Sequence, residues 1–285
     1  MTDTAAIVAR FALLLLSLGL AGLPLYLRLA GQRSISRGLG LALGIGSVLA
    51  ALASVWWAAA TVAGMAAMPI ADLDWPTLQA VLAATPLGSV LAVRLAGLAA
   101  FVVALIVAPR TDLLAGIAAL VLISGAWTGH AGAAEGDLGT FQRLSDGLHL
   151  LAAAIWFGAL IVFLASLGGR IDTRPIIHRL ERFARTGTII VLVLVVTGTA
   201  NAILIARSGW EPMSGWSLML AAKIALFAAM LGFAGLNRWK LTPELAAQLP
   251  GAEGRLRTSL ILETGSAIAI FGLVAALGLR DPAGL

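Results

Sequence analysis

Long apolar stretches separated by short polar loops run along the whole chain. An α-helix needs about 20 mostly apolar residues to cross a bilayer, and eight stretches approach or exceed that length: 7–29, 39–66, 87–108, 112–129, 148–168, 187–206, 216–236 and 259–279. They lack the period-two alternation that is typical of a transmembrane β-barrel. Because backbone polar groups in lipid must pair internally, the pattern predicts an all-α, polytopic membrane protein with eight transmembrane helices.

The composition excludes other classes of protein. Of the 285 residues, 60% are hydrophobic and 12% are charged, and the mean hydropathy is +0.98. A soluble domain has about 25% charged residues, and a soluble chain of this size would leave too much apolar surface in water. A soluble enzyme and a disordered chain are therefore excluded. The absence of cysteine excludes thiolate metal sites and disulfides.

The positive residues predict the orientation. Most of the 19 Lys and Arg residues fall in the first, third, fifth and seventh loops. By the positive-inside rule these loops are cytoplasmic, and both termini are periplasmic. Topology thus explains the isoelectric point near 10.9, and no nucleic-acid partner is expected.

The two halves of the chain contain similar short segments. Residues 86–96 open the third stretch and residues 215–225 open the seventh, and each segment carries one cation, Arg94 or Lys223. A parallel repeat of four helices per half is one interpretation, and chance similarity in a biased composition is the other. Residues 1–285 are treated as a single membrane domain, with halves at 1–130 and 131–285.

Two histidines lie at the predicted outer face. His130 ends the fourth stretch and His149 opens the fifth, so two adjacent antiparallel helices would bring them together. Imidazole nitrogen is a good ligand for copper, zinc and iron. Asp146, three residues before His149, would orient the ring as a hydrogen-bond acceptor. The sequence favours a metal site here, and the alternative is two interfacial histidines in contact with water and headgroups.

Four methionines are predicted near the same face. Met65 and Met68 lie at the outer end of the second stretch, and Met213 and Met219 flank the outer start of the seventh. Thioether sulfur is soft and selects Cu(I), whereas the alternative role is adaptable packing. Together with the histidines, they point to copper.

Polar residues inside the apolar stretches are candidates for an ion path. Arg94 and Lys223 lie roughly 10 Å below the outer helix ends, where a cation costs about 2.5–3.5 kcal/mol unless it snorkels. Glu263 is either a first-turn acid of the eighth helix or an intramembrane partner, and Asn201 is a helix–helix hydrogen-bond candidate. Trp156, two turns beyond His149, either floors a site or packs a helix crossing.

Short motifs, mostly in the second half, form a set: Gly129-His130-Ala131, Asp146-Gly147-Leu148-His149, Ile155-Trp156-Phe157-Gly158, Arg182-Phe183-Ala184-Arg185, Thr197-Gly198-Thr199-Ala200-Asn201, Lys223-Ile224-Ala225-Leu226-Phe227, Asn237-Arg238 and Glu263. With them the chain resembles the CopD family of bacterial copper-resistance membrane proteins, strongly over the second half and in outline over the first. The family usually has Tyr-Gly before the lysine of the seventh helix, where this chain has Trp216-Ser217.

The resemblance implies an inner-membrane protein of copper homeostasis that moves copper across the membrane, often beside a periplasmic carrier of the CopC type. The polar residues that match the family are His130, His149, Lys223, Asn201 and Glu263. Copper, as Cu(I) or Cu(II), would bind the two histidines, with methionines as soft auxiliaries, and pass between the two halves.

Two other functions remain open. One is a b-type cytochrome in which His130 and His149 are the axial ligands of a haem. The other is an assembly partner that delivers copper to a membrane oxidase. No nucleotide-binding or hydrolase motif is present, so neither catalysis nor ATP-driven pumping is expected of this chain on its own.

Overall fold

The computed structural model describes residues 2–128, 136–167, 174–207 and 209–280. In these ranges the chain is all-α, as predicted, and the only β-type pairing is an isolated bridge between Ser34 and Arg110. The α-helices are α1 Thr2–Leu29, α2 Arg37–Met65, α3 Trp75–Ala84, α4 Pro86–Val107, α5 Thr111–Ile123, α6 Gly136–Ser166, α7 Arg174–Ala206, α8 Gly215–Leu236, α9 Thr242–Ala246 and α10 Ala252–Leu277. Short 3₁₀ turns cover Ile70–Asp72 and Ser124–Trp127, and a π turn, Asn237–Leu241, joins α8 to α9.

Seven helices in the described ranges are long and apolar enough to cross a membrane: α1, α2, α4, α6, α7, the α8–α9 segment and α10. The fourth predicted stretch forms the shorter apolar segment Thr111–Trp127. The eighth span and the periplasmic position of the termini therefore stay predictions. The short helix α3 lies in a predicted loop, and Asp74 caps it by accepting a hydrogen bond from the Thr77 backbone at 2.8 Å. Hydrogen bonds from Thr77 lower the pKa of the exposed Asp74 carboxyl.

The bundle has two distinguishable ends. At the termini end, where α1 begins and α10 ends, Arg10 donates from Nη1 to the Gly278 carbonyl at 3.3 Å. At the opposite end, called the basic end, where α6 ends and α7 begins, Arg179 of α7 donates to Ser166 Oγ of α6 at 3.5 Å. The start of the first described helix and the end of the last thus meet at one end of the bundle.

Helix α1 is central and packs against α2, α5, α6 and α10. It approaches α6 most closely at Gly22 and Gly158, where a Cβ on either residue would overlap the backbone of the other helix. Small residues at such crossings let helix backbones touch, which is how membrane helices gain packing energy without a hydrophobic driving force. Toward the basic end, edge-to-face contacts among Tyr26, Phe163 and Phe183, with ring centroids 5.5–5.7 Å apart, join α1, α6 and α7.

We expect Gly158→Ala to destabilise the bundle by about 1–3 kcal/mol, because the added methyl meets backbone atoms rather than a movable side chain. The thermal unfolding midpoint in detergent should fall. Gly44→Ala, on the side of α2 where the added methyl meets open space, is the matched control and should leave the midpoint unchanged or raise it. Equal midpoints for the two variants would show that the α1–α6 contact is loose.

Candidate functional site

A cluster of polar side chains joins α6 to α7 in the part of the bundle nearer the termini end. His149 on α6 lies with Nδ1 at 2.9 Å from Oγ1 of Thr197 on α7. Ser145 donates to the Thr197 backbone carbonyl at 3.3 Å, and Asn201 donates from Nδ2 to Oδ1 of Asp146 at 3.4 Å. The sequence produces this match because residues three or four apart share one face of a helix, so each helix presents its polar residues together.

The hydroxyl of Thr197 determines the state of the His149 ring. Thr197 Oγ1 donates its single proton to the Val193 carbonyl at 2.5 Å, so toward His149 the same oxygen must accept. In this proton arrangement Nδ1 of His149 is the N–H nitrogen and Nε2 of a neutral ring carries the lone pair, and the ring also has a backbone hydrogen bond at Leu194. This is the tautomer in which Nε2 is available to a metal ion, with the other nitrogen held by a protein acceptor.

Asp146 is the negative centre of the cluster. The cations that interact with it electrostatically are Lys223 on α8 and Arg10 on α1. Three helices thus contribute charge to one small region, and the surplus there is positive when all three groups are ionised. Arg10 also holds the end of α10 through Gly278, which fixes the position of α1 beside the cluster.

Three cavities lie in a row along α6. The termini-end cavity, about 200 Å³, is lined by Arg10, Asp146, His149, Asn201 and Lys223 among others. The middle cavity, about 420 Å³, shares His149 and Lys223 with it and lies between α7 and α8. The basic-end cavity, about 310 Å³, shares Trp156 with the middle one. The polar cluster is therefore linked to the basic end by adjoining spaces.

Glu263 on α10 lies at the basic-end cavity and is only 2% exposed. Its carboxylate accepts a hydrogen bond from Trp156 Nε1 at 2.7 Å and another from Asn237 Nδ2 at 2.9 Å. Asn237 opens the π turn after α8, a local irregularity that is frequent at functional sites. The indole of Trp156 therefore has a polar role at the boundary between two cavities as well as a packing role.

Arg94 lies apart from this row of cavities. It is 4% exposed on α4, and its guanidinium carbon is 5.2 Å from the centre of the Trp57 ring on α2. Arg94 Nη1 has no hydrogen-bond partner within the described ranges. Arg94 does not line the three cavities with Lys223. The middle and basic-end cavities lie within the second half, among α6, α7, α8 and α10, whereas the termini-end cavity lies between the two halves, with α1 and Thr128 on one side.

The predicted ligands are only partly brought together. His130 lies outside the described residues, so its distance from His149 stays untested. Met65 and Met213 are 59% and 75% exposed, Met68 and Met219 are half-buried, and none of the four is among the residues that line the three cavities. In the described part of the chain, no three His, Cys, Asp or Glu side chains converge on a point where a metal ion would fit.

The sequence interpretation gave no role to Arg10 and Met230, which line these cavities, or to Thr197, which binds His149. Arg10 was visible as a lone cation inside the first apolar stretch, and Thr197 as a hydroxyl four residues before Asn201. Met230, 5% exposed in the middle cavity, carried no signal beyond its residue type.

Taken together, the apolar helices and the buried polar cavities define a multi-pass membrane protein with a polar site inside its helical bundle. Residues 1–140 match the family model "Copper resistance protein D-like, N-terminal domain", and residues 177–277 match the model "Copper resistance protein D". The chain belongs to the copper resistance protein D family, as the motifs indicated.

Two relatives show how far the similarity extends. "Copper resistance protein D" of Pseudomonas syringae pv. tomato is 31% identical over 312 aligned positions, which cover 99% of this chain and 98% of the relative. "Inner membrane protein YebZ" of Escherichia coli (strain K12) is 31% identical over 142 positions, 48% of this chain and 47% of the relative. Neither is named as an enzyme, in agreement with the prediction. No solved structure matches the chain.

We expect Asp146→Asn to destabilise the protein, because Lys223 and Arg10 lose the negative charge that offsets theirs in a poorly hydrated site. Adding Lys223→Met should restore part of the loss, with a coupling of about 0.5–3 kcal/mol in a double-mutant cycle of unfolding free energies. Asp137→Asn, at an exposed position of the same helix, is the control. Strictly additive effects of the two substitutions would contradict an electrostatic link.

Proposed function

We propose that the chain is a copper-homeostasis protein of the bacterial inner membrane that takes copper at the periplasmic face and moves it across the membrane. The observation that carries the proposal is that His149, hydrogen-bonded to Thr197, lines two adjoining internal cavities, where its Nε2 is the candidate ligand. Membership of the copper resistance protein D family supports copper as the ion.

Copper binding starts at the termini end, which the positive-inside rule assigns to the periplasm. His149 supplies one imidazole. His130 supplies a second, two residues after Thr128, and Thr128 lines the termini-end cavity. Imidazole ligands suit Cu(II), whereas thioether ligands favour Cu(I). A small periplasmic carrier of the CopC type is a suitable donor, because this chain has no carrier domain of its own in the described ranges.

The four methionines act before the histidines on this account. Their positions at the helix ends, exposed or half-buried and away from the cavity lining, fit transient capture of Cu(I) at the surface rather than coordination beside His149. Soft, neutral sulfur ligands bind Cu(I) without losing a proton, and on this proposal each methionine binds the ion weakly enough to release it to the next ligand. The methionines are Met65, Met68, Met213 and Met219.

The inward route follows the row of cavities along α6. Asp146 lies beside this route, and Lys223 and Arg10 offset its charge, so a cation that enters here is not held strongly by the carboxylate. Asn201 holds the carboxylate of Asp146 in place. Trp156 forms the boundary between the middle and basic-end cavities, and Glu263 lies immediately beyond it. Arg94, on its separate ring contact, has no part in this route.

We expect purified protein to bind copper and His149→Ala to lose at least tenfold in copper affinity. Thr197→Val should weaken binding by about 10–100-fold, the usual effect of losing a partner that orients a ligating histidine, and Thr197→Ser should bind as the parent does. Metal content by mass spectrometry and titration of Cu(I) and Cu(II) provide the measurement, with His130→Ala as a second test of the ligand pair.

His178→Ala is the matched control, because His178 lines a different cavity, with Tyr26 and Arg182 near the basic end. It should leave copper binding unchanged. A Soret band in the purified protein would contradict the proposal in favour of haem. Unchanged cellular copper in a deletion strain, under both copper limitation and copper excess, would contradict transport, and loss of oxidase copper alone would favour delivery.

A further inference from the structure

Glu263 is a carboxylate in the bundle interior whose described partners are both neutral. Trp156 and Asn237 each donate one N–H to it. Within the described part of the chain, no cationic side chain forms an ion pair with Glu263. An ionised carboxylate in such a place is costly unless a positive charge accompanies it, and intramembrane acids of this kind mark ion and proton pathways.

The cations nearest to Glu263 along the chain are bound to other groups or exposed, and Lys240 and Arg257 are among the exposed ones. Arg238 lines the same cavity, but its guanidinium donates to the Ala184 carbonyl and to Thr188 Oγ1, both at 3.2 Å. On α10 itself, Arg255 pairs with Glu244 of α9 at 2.7 Å. The charges that α1, α6 and α8 bring toward this row of cavities, Arg10, Asp146 and Lys223, belong to the termini-end cluster.

The surroundings of Glu263 also fit the neutral acid. A protonated carboxyl has one O–H to donate, and two buried acceptors nearby have no partner in the described ranges. One is Oδ1 of Asn237, on the same amide that already binds Glu263, and the other is Oγ of Ser259, one helical turn earlier on α10. The site thus offers hydrogen bonds to the ionised form and unused acceptors to the protonated form.

Glu263 lies between the basic end and the middle cavity. It lines the basic-end cavity with Arg238 and Trp239, and its partner Trp156 lines both that cavity and the middle one, which reaches His149. A carboxyl with neutral partners in this position accommodates one positive charge at a time, because a second cation would meet no compensating negative charge in a low dielectric. That charge is either a proton or a passing metal ion.

We propose that Glu263 is a proton-exchange site that couples the movement of copper to the movement of a proton in the opposite direction. The proposal rests on the proposed transport function. When Cu(I) enters from one side, the O–H bond of Glu263 breaks and the proton leaves to water on the side from which the copper came. When Cu(I) leaves on the other side, the carboxylate takes a proton from water there. One proton exchanges for one Cu(I), and no electron is transferred.

The experiment uses the full chain in proteoliposomes, with Cu(I) kept reduced and two readouts, lumenal copper and lumenal pH. For the parent protein we expect Cu(I) entry to raise the lumenal pH and an acidic lumen to accelerate entry at least fivefold. Glu263→Gln should lose at least tenfold of this gradient-driven entry and all of the pH change, yet keep the copper affinity of the site at His149, in which Glu263 takes no part. The retained affinity separates a coupling defect from misfolding.

Glu253→Gln, an exposed position near the start of the same helix, is the control and should behave as the parent. If the rate of copper entry into liposomes with the parent protein does not depend on the pH gradient, the coupling is overturned and the transport function stands. A Glu263→Gln variant with normal pH dependence would do the same. Absence of copper entry in the parent under every gradient would overturn the transport function and the coupling together.

Discussion

A threonine hydroxyl has one proton to donate, and the site depends on where Thr197 sends it. When the proton goes to the Val193 carbonyl, the same oxygen accepts from Nδ1 of His149, and Nε2 is the nitrogen of the neutral ring that carries the lone pair. The bond also crosses from α6 to α7, where Ser145 reinforces it through the Thr197 carbonyl. One residue, Thr197, thus orients the His149 ring and also contributes to the contact between α6 and α7 in an otherwise apolar bundle.

The low dielectric of the bundle interior explains why its charged residues have such different surroundings. Asp146 is offset by two cations from other helices, and Arg94 lies over an aromatic ring. Glu263 has only neutral donors in the described structure. A charge that already has an opposite partner gains little from binding another ion, whereas a buried carboxylate without a cationic partner is stabilised by binding a cation. The interior thus contains a cluster of mutually compensated charges around Asp146, a cation in contact with an aromatic ring at Arg94, and a carboxylate without a cationic partner at Glu263.

Much of the fold and part of the site followed from the sequence, for physical reasons. Membrane-spanning helices can be predicted because a bilayer requires a minimum length and an apolar composition of each one. A polar residue inside such a helix is energetically costly, and it is therefore a candidate functional residue. Hence His149, Asp146, Lys223 and Glu263 were identifiable. Periodicity fixes the depth of a residue in the bundle but leaves open which neighbour its helix face meets. Arg94 was therefore grouped with Lys223 by depth alone, and the pairing of Trp156 with Glu263, 107 positions apart, was not predicted.

The central claim is that copper binds Nε2 of His149 beside the cavities along α6. X-ray absorption at the copper edge, on protein loaded with one equivalent of copper, tests it directly. We expect imidazole backscattering in the parent and in His178→Ala, and a signal reduced by one imidazole ring in His149→Ala. Identical spectra for the parent and His149→Ala, with copper fully bound in both, would contradict it.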